Sequence, residues 1–192
     1  MSSPEGLDLP ALQRFFDTEV PDTAGPLSAS LIAGGKSNLT YRITDGTHHW
    51  VLRRPPLGPL TPTAHDRARV YRIIAALSGT AVPVAEPVAL CEDTSVLGVP
   101  FAVVSHVDGR TLRSGDDTER LSADEPRRCS HALVDALAAV HAVPYAEVGL
   151  GDFGRPAEGI HQRHQAGKTV GDGFDTVGEA VPALLERGLQ AV

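Results

Sequence analysis

The spacing of hydrophobic positions changes character repeatedly along this chain, and each change marks an element. Leu9, Leu12 and Phe16 recur at helical spacing, with Asp8 placed to cap the start and Pro10 in the first turn, so a helix is predicted over Leu9–Thr18. Pro21 ends it. From Leu27 to Arg54 the period falls to two: Leu31 leads into Gly34-Gly35, then Leu39, Tyr41 and Ile43 alternate with polar neighbours. Asp45-Gly46 is expected to supply the positive φ angles of a tight hairpin turn, with 49–53 returning as the partner strand. Pro55-Pro56 then break the sheet. A second helix is predicted over Thr63–Ser78, with Val70, Ile73, Ile74 and Leu77 on the face packed against the sheet and Gly79 ending it. Two extended pieces, Ala85–Leu90 and Phe101–Val107, flank a turn containing Asp93 and Gly98. The pattern up to this point is α+β.

After Asp108-Gly109 the pattern turns helical. Ser122-Ala123-Asp124-Glu125 reads as a capping box, in which the Ser122 and Glu125 side chains satisfy free amides reciprocally. The helix it opens should run to about His141, with Leu133, Val134, Leu137 and Val140 inward. Pro144 and Gly149 lead out into the loop 149–156. Beyond it, Ala183–Gln190 can form a helix, but residues 159–178 show no clear period.

Composition narrows the function classes. With 192 residues, 42% of them hydrophobic, the chain can bury a real core. A net charge of −7 argues against a nucleic-acid platform, which needs a basic face to displace counterions. Any phosphate site must therefore be local. No run of eighteen apolar residues occurs and Met1–Pro10 has neither a basic start nor an apolar stretch, so a soluble, cytoplasmic protein with no membrane partner is expected. Cys91 and Cys129 lack metal-ligand spacing and are expected to be buried free thiols.

The chemistry-bearing candidate is Ala33-Gly34-Gly35-Lys36-Ser37-Asn38, set between two strands. Small residues there let backbone amides approach an anion, and Lys36 adds charge, which makes a phosphate cradle. A glycine-bearing hairpin without a ligand fits the same residues. A Walker-type loop is the rival functional reading, since Gly35-Lys36-Ser37 ends like one. That motif needs a glycine where Ser30 stands and a helix afterwards, whereas Leu39-Thr40-Tyr41-Arg42-Ile43-Thr44 alternates like a strand.

The order of motifs is more specific than any one of them. Gly34-Gly35-Lys36-Ser37-Asn38-Leu39-Thr40-Tyr41, then Val51-Leu52-Arg53-Arg54-Pro55-Pro56, then Ala64-His65-Asp66, then Val104-Ser105-His106-Val107-Asp108-Gly109 resembles the aminoglycoside phosphotransferase family of kinase-like enzymes. The likeness is strongest to the branch associated with acyl-CoA dehydrogenases, which also shows a segment like Leu150-Gly151-Asp152-Phe153-Gly154-Arg155-Pro156. It covers roughly positions 8–159.

This resemblance implies a protein-kinase-like N-terminal lobe, a five-stranded antiparallel sheet plus one helix, over residues 1–107. An incomplete helical C-terminal lobe would follow over 108–192, with 160–192 of unassigned structure. It also implies an ATP site between the lobes, with Mg2+ expected in intact relatives. Gly34, Gly35, Lys36, Ser37 and Asn38 match the loop over the phosphates, and Arg53 takes the place of the strand lysine that contacts them. Ser105 and Val107 match the hinge, whose backbone would meet the adenine edge. A solvated charge at a strand end is the alternative reading of Arg53.

The chain also departs from the family pattern. The helix glutamate that orients the strand cation would fall at position 70, which is Val70. Asn38 is the only asparagine, so no Asp-x-x-x-x-Asn catalytic loop exists in these 192 residues. His106-Val107-Asp108 has the outline of a catalytic motif but follows an apolar strand, and Asp152-Phe153-Gly154 has no His-Arg-Asp before it. His161 and His164 form a pair without a third metal ligand. The expectation is the ATP-binding portion of a small-molecule hydroxyl kinase, truncated and not catalytically competent alone. The alternatives are a non-catalytic interaction protein that binds a complementary C-lobe chain and, less favoured, a Walker-type hydrolase.

Overall fold

Asp8 opens the first helix as the sequence requires: its Oδ1 accepts from the Ala11 N–H at 3.0 Å, with Pro10 in the first turn. In the computed structural model, which describes residues 3–34, 38–57, 66–112, 117 and 119–153, this helix is α1 (Leu9–Glu19). The strands are β1 (Ser28–Gly34), β2 (Leu39–Thr44), β3 (His49–Arg54), β4 (Pro87–Cys91) and β5 (Phe101–Ser105). The remaining helices are α2 (Asp66–Leu77), α3 (Thr94–Leu97) and α4 (Glu125–His141). The chain divides into two compact units. One comprises Met1–Ala75 with Ala85–His106, the other Ala76–Val84 with Val107–Val192.

The first unit is built on one antiparallel sheet in the order β1-β2-β3-β5-β4. Period-two alternation gives each strand two faces. Tyr41, Ile43, Trp50, Leu52, Phe101 and Val103 are buried on one of them, together with Leu12 and Phe16 of α1. The Phe16 ring meets Trp50 edge-on at 5.1 Å, and Phe15 meets Phe101 the same way at 5.1 Å. Among the described residues, this buried cluster draws on α1 and contains no residue of α2.

Two local predictions change in detail. Only Gly46 of the Asp45-Gly46 pair takes a positive φ, +94°. Asp45 instead holds the turn with its carboxylate, which accepts from the amides of Ala24, Thr47 and His48 and from the His48 ring. The segment expected as a plain turn at Asp93 and Gly98 contains the short helix α3, capped by Asp93 and closed by Gly98 at φ +77°. Cys91 is buried, and burial pushes its thiol up from the ordinary value, keeping it protonated. Cys129 is only half-buried, short of the burial expected for it.

The second unit carries α4. Glu125 reaches back to the Ser122 N–H at 2.6 Å, one arm of the expected capping box, and also pairs with Arg110. The helix ends at His141, as the pattern predicts. Its expected inner face does not hold: Leu133, Val134 and Leu137 are exposed, at 44%, 63% and 53%, and Ala136 is its buried residue. No helix among the described residues is long and apolar enough to cross a membrane.

Candidate functional site

The glycine segment joins two antiparallel neighbours. Gly34 lies opposite Leu39 and Ala33 opposite Thr40, so β1 and β2 close directly around it. Gly34 ends β1 and Asn38, its amide oxygen shut away from solvent, leads into β2. Gly35, Lys36 and Ser37 lie outside the described residues. A strand follows the segment, not a helix, and this removes the Walker arrangement, which depends on a helix N-terminus. A register irregularity sits at Ile32, and Leu31 and Ile32 are both exposed on the approach to the glycines.

Two of the cross-strand rows on the second face carry an arginine. In one row Ala33, Thr40, Arg53 and Ala102 stand side by side; in the other, Ser30, Arg42, Val51 and Val104. Directly paired residues share a face. Arg53 therefore belongs to the row that runs to the glycine segment, on the face opposite Leu52 and the α1 core. It is half-buried and has neither an ion pair nor a hydrogen bond among the described residues. Position 70, half-buried on α2, offers it no carboxylate because it is Val70.

Sequence reading carried β5 to Val107, but the strand ends at Ser105. The reason lies in where the next amides go. The Ser105 N–H donates to the Glu86 carbonyl at 2.9 Å, and the His106 N–H turns to the His49 carbonyl at 3.0 Å. The Ser105 hydroxyl accepts from the Glu86 N–H at 2.8 Å, fixing the strand end from its other side. The Val107 N–H has no partner among the described residues, although the residue is half-buried. An amide donor left open at a braced strand end can serve an outside acceptor.

The other candidates sit elsewhere. Asp108 is exposed just past the strand end, and Asp152 is exposed in a turn. His161 and His164 fall outside the described residues. No group of three or more His, Cys, Asp or Glu able to hold a metal ion occurs among the described residues.

Two arginines were missed by the sequence reading. Arg54 is buried at 5% exposure, its guanidinium donating to the carbonyls of Gly6, Pro55 and Leu97. Arg42 stands beside Val51, and its Nε is buried without a hydrogen-bond partner. Period-two alternation places each on its face, 54 with Leu52 and 42 with Val51, but does not show what either meets there.

The model of the APH, or phosphotransferase enzyme, family matches residues 28–189, past the point at Gly159 where the motif resemblance stops. Acyl-CoA dehydrogenase family member 11 of Gallus gallus is 35% identical over 152 residues, which are 77% of this chain and 19% of that protein. Acyl-CoA dehydrogenase family member 10 of Mus musculus is 32% identical over 146 residues, 74% of this chain and 13% of that protein. The chain thus spans a fifth or less of these curated relatives. A crystal structure from Ralstonia eutropha JMP134, described as a candidate aminoglycoside phosphotransferase, superposes with a TM-score of 0.67 at 34% identity and covers 82% of this chain and 45% of its own. The GDP complex of aminoglycoside 2′-phosphotransferase-IIIa reaches a TM-score of 0.51 at 18% identity, covering 73% and 44%, a likeness of fold alone.

Proposed function

This chain belongs to the phosphotransferase enzyme family, and on that premise we propose that it binds ATP as the nucleotide-holding portion of a small-molecule hydroxyl kinase. The observation that carries the reading is Arg53. It is a half-buried guanidinium without a carboxylate partner among the described residues, in the same cross-strand row as Ala33 and Thr40 at the base of the glycine segment. A partly desolvated cation without a counterion favours an anion nearby.

Gly34, Gly35, Lys36, Ser37 and Asn38 would present backbone amides and the Lys36 ammonium to the β- and γ-phosphates. Arg53 would add a bidentate contact that a lysine cannot copy. At the strand end, the open Val107 N–H would donate to the adenine edge, with the backbone of Ser105 beside it. A bound ATP supplies a transferable phosphoryl group. Magnesium characteristically sits on the phosphates and on one or two carboxylates.

The 192 residues contain no Asp-x-x-x-x-Asn, so the groups that take the acceptor's proton and hold the metal must come from elsewhere. The chain alone should bind nucleotide without turnover. Isothermal titration with Mg-ATP tests this: binding is expected, and Gly35→Val, which fills the loop, should weaken it. No heat at millimolar nucleotide would dispose of the reading, and ADP release by the chain alone would dispose of the claim that it is incompetent by itself.

The exposed Leu133, Val134 and Leu137 favour a second reading, in which α4 receives the complementary helical part of the phosphotransferase domain from another chain. Co-expression with such a helical lobe should then yield a stable complex and restored phosphate transfer. An isolated chain that stays monomeric and ignores the lobe would count against it.

A further inference from the structure

The sheet carries an unusual charge balance. None of the five strands contains an aspartate or glutamate, in a chain whose net charge is −7. Their arginines are Arg42, Arg53 and Arg54, and Arg54 is occupied on the core face by backbone carbonyls. That leaves two on the other face. Arg42 pairs with Val51 and Arg53 with Thr40 in the β2–β3 register, so the two guanidinium stems are diagonal neighbours on one surface. Diagonal neighbours lie roughly 7–8 Å apart, with their Cβ atoms somewhat closer, within reach of a common anion for two side chains of this length.

Neither arginine has an ion pair or a hydrogen bond among the described residues, and the Arg42 Nε is buried without a partner. Two like charges held close, half-buried and without a counterion destabilise a fold unless something neutralises them. The oxyanion that fits two planar forks bears several oxygens at a spacing near their own separation, as the consecutive phosphates of a polyphosphate chain do.

We infer that Arg42 is a second phosphate-binding residue, which with Arg53 forms a two-guanidinium seat for the polyphosphate tail of the nucleotide. This deepens the ATP reading and rests on it. The second cation also gives a physical account of Val70. A single strand cation needs a carboxylate to orient it, whereas two arginines bracketing one anion are oriented by the ligand itself.

Isothermal titration of the full chain with tripolyphosphate, Mg-ATP and adenosine separates the outcomes. Arg42→Leu should weaken tripolyphosphate and ATP about tenfold and leave adenosine unchanged. Arg42→Lys should recover part of the loss, because the charge returns without the fork. Arg42→Gln serves as the second removal should the leucine variant melt early. Unchanged tripolyphosphate affinity in both removal variants overturns the proposal, as does an adenosine loss matching that for ATP, which would place Arg42 on the base. A wild-type chain that binds neither ATP nor tripolyphosphate overturns the nucleotide reading itself, so the two failures are distinguishable.

Discussion

Arg53 and Arg54 are consecutive on β3 yet serve opposite faces of one sheet. Arg54 is buried on the α1 side, tying the strand end to the carbonyls of Gly6 and Leu97, while Arg53 stands opposite Thr40 on the other side with no partner among the described residues. Adjacent, chemically identical residues are thus divided by strand alternation into a structural clamp and a candidate ligand contact.

The division can be measured. Arg54→Met should lower stability by roughly 2–4 kcal/mol, since it strips donors from buried carbonyls. Arg53→Met, which removes one of two close, partly desolvated charges, should be as stable as wild type or up to about 1 kcal/mol more stable in urea melts without ligand, while losing about tenfold in ATP affinity. Equal destabilisation by the two substitutions would mean that Arg53 is structural as well.

The same corner of the fold constrains Gly6. Its φ is +81°, and a Cβ there would come within 3.0 Å of both Leu57 Cδ2 and the Tyr41 hydroxyl. That hydroxyl donates to the Glu5 carbonyl at 2.7 Å, and burial raises the phenol's pKa. Gly6→Ala should cost about 2 kcal/mol, from the left-handed backbone and the displaced phenol together. Thermal melts of the alanine variant that coincide with wild type would contradict this.

Asp45 predicts a pH dependence. Burial acts to raise its pKa, but the amides of Ala24, His48 and Thr47 and the His48 ring outweigh burial and hold the carboxyl well below the ordinary range. A carboxylate whose folded pKa is depressed contributes stability that is complete above its unfolded pKa, near 3.8. That contribution is lost as pH falls from there toward the folded value. Urea midpoints of wild type should therefore drop below about pH 4. Asp45→Asn, less stable at neutral pH, should show a shallower acid limb; parallel limbs would assign the acid sensitivity to other groups.

Much of this architecture was legible because its signals are local. Asp8 with Pro10, the alternation of Leu39, Tyr41 and Ile43, and Gly79 after the second helix each act within a few residues. What escaped depended on distant partners. Arg54 finds its acceptors at Gly6 and Leu97, far away in sequence, and nothing adjacent to it announces that use. That α1 covers the face bearing Tyr41 and Leu52 was hidden for the same reason, since an apolar stripe shows that a helix packs but not on which face of the sheet. In the candidate site, β1, β2 and the row holding Arg53 followed from alternation. Arg42 did not stand out, because a single basic residue on a strand usually has the plain meaning of a solvated charge.

The exposed stripe on α4 supports the last prediction. Leu133 and Leu137 lie one turn apart with Val134 beside them, all exposed, in a helix whose cap contacts at Glu125 are intact. A folded helix holding apolar residues in water gains little stability from them but offers adhesive surface. Replacing Leu133 and Leu137 with Lys and Val134 with Glu should change the melting midpoint little, within about 1 kcal/mol in stability. It should also reduce concentration-dependent association in sedimentation velocity. A large loss of stability would show that the stripe is covered within the chain itself, and that α4 packs as its periodicity first suggested.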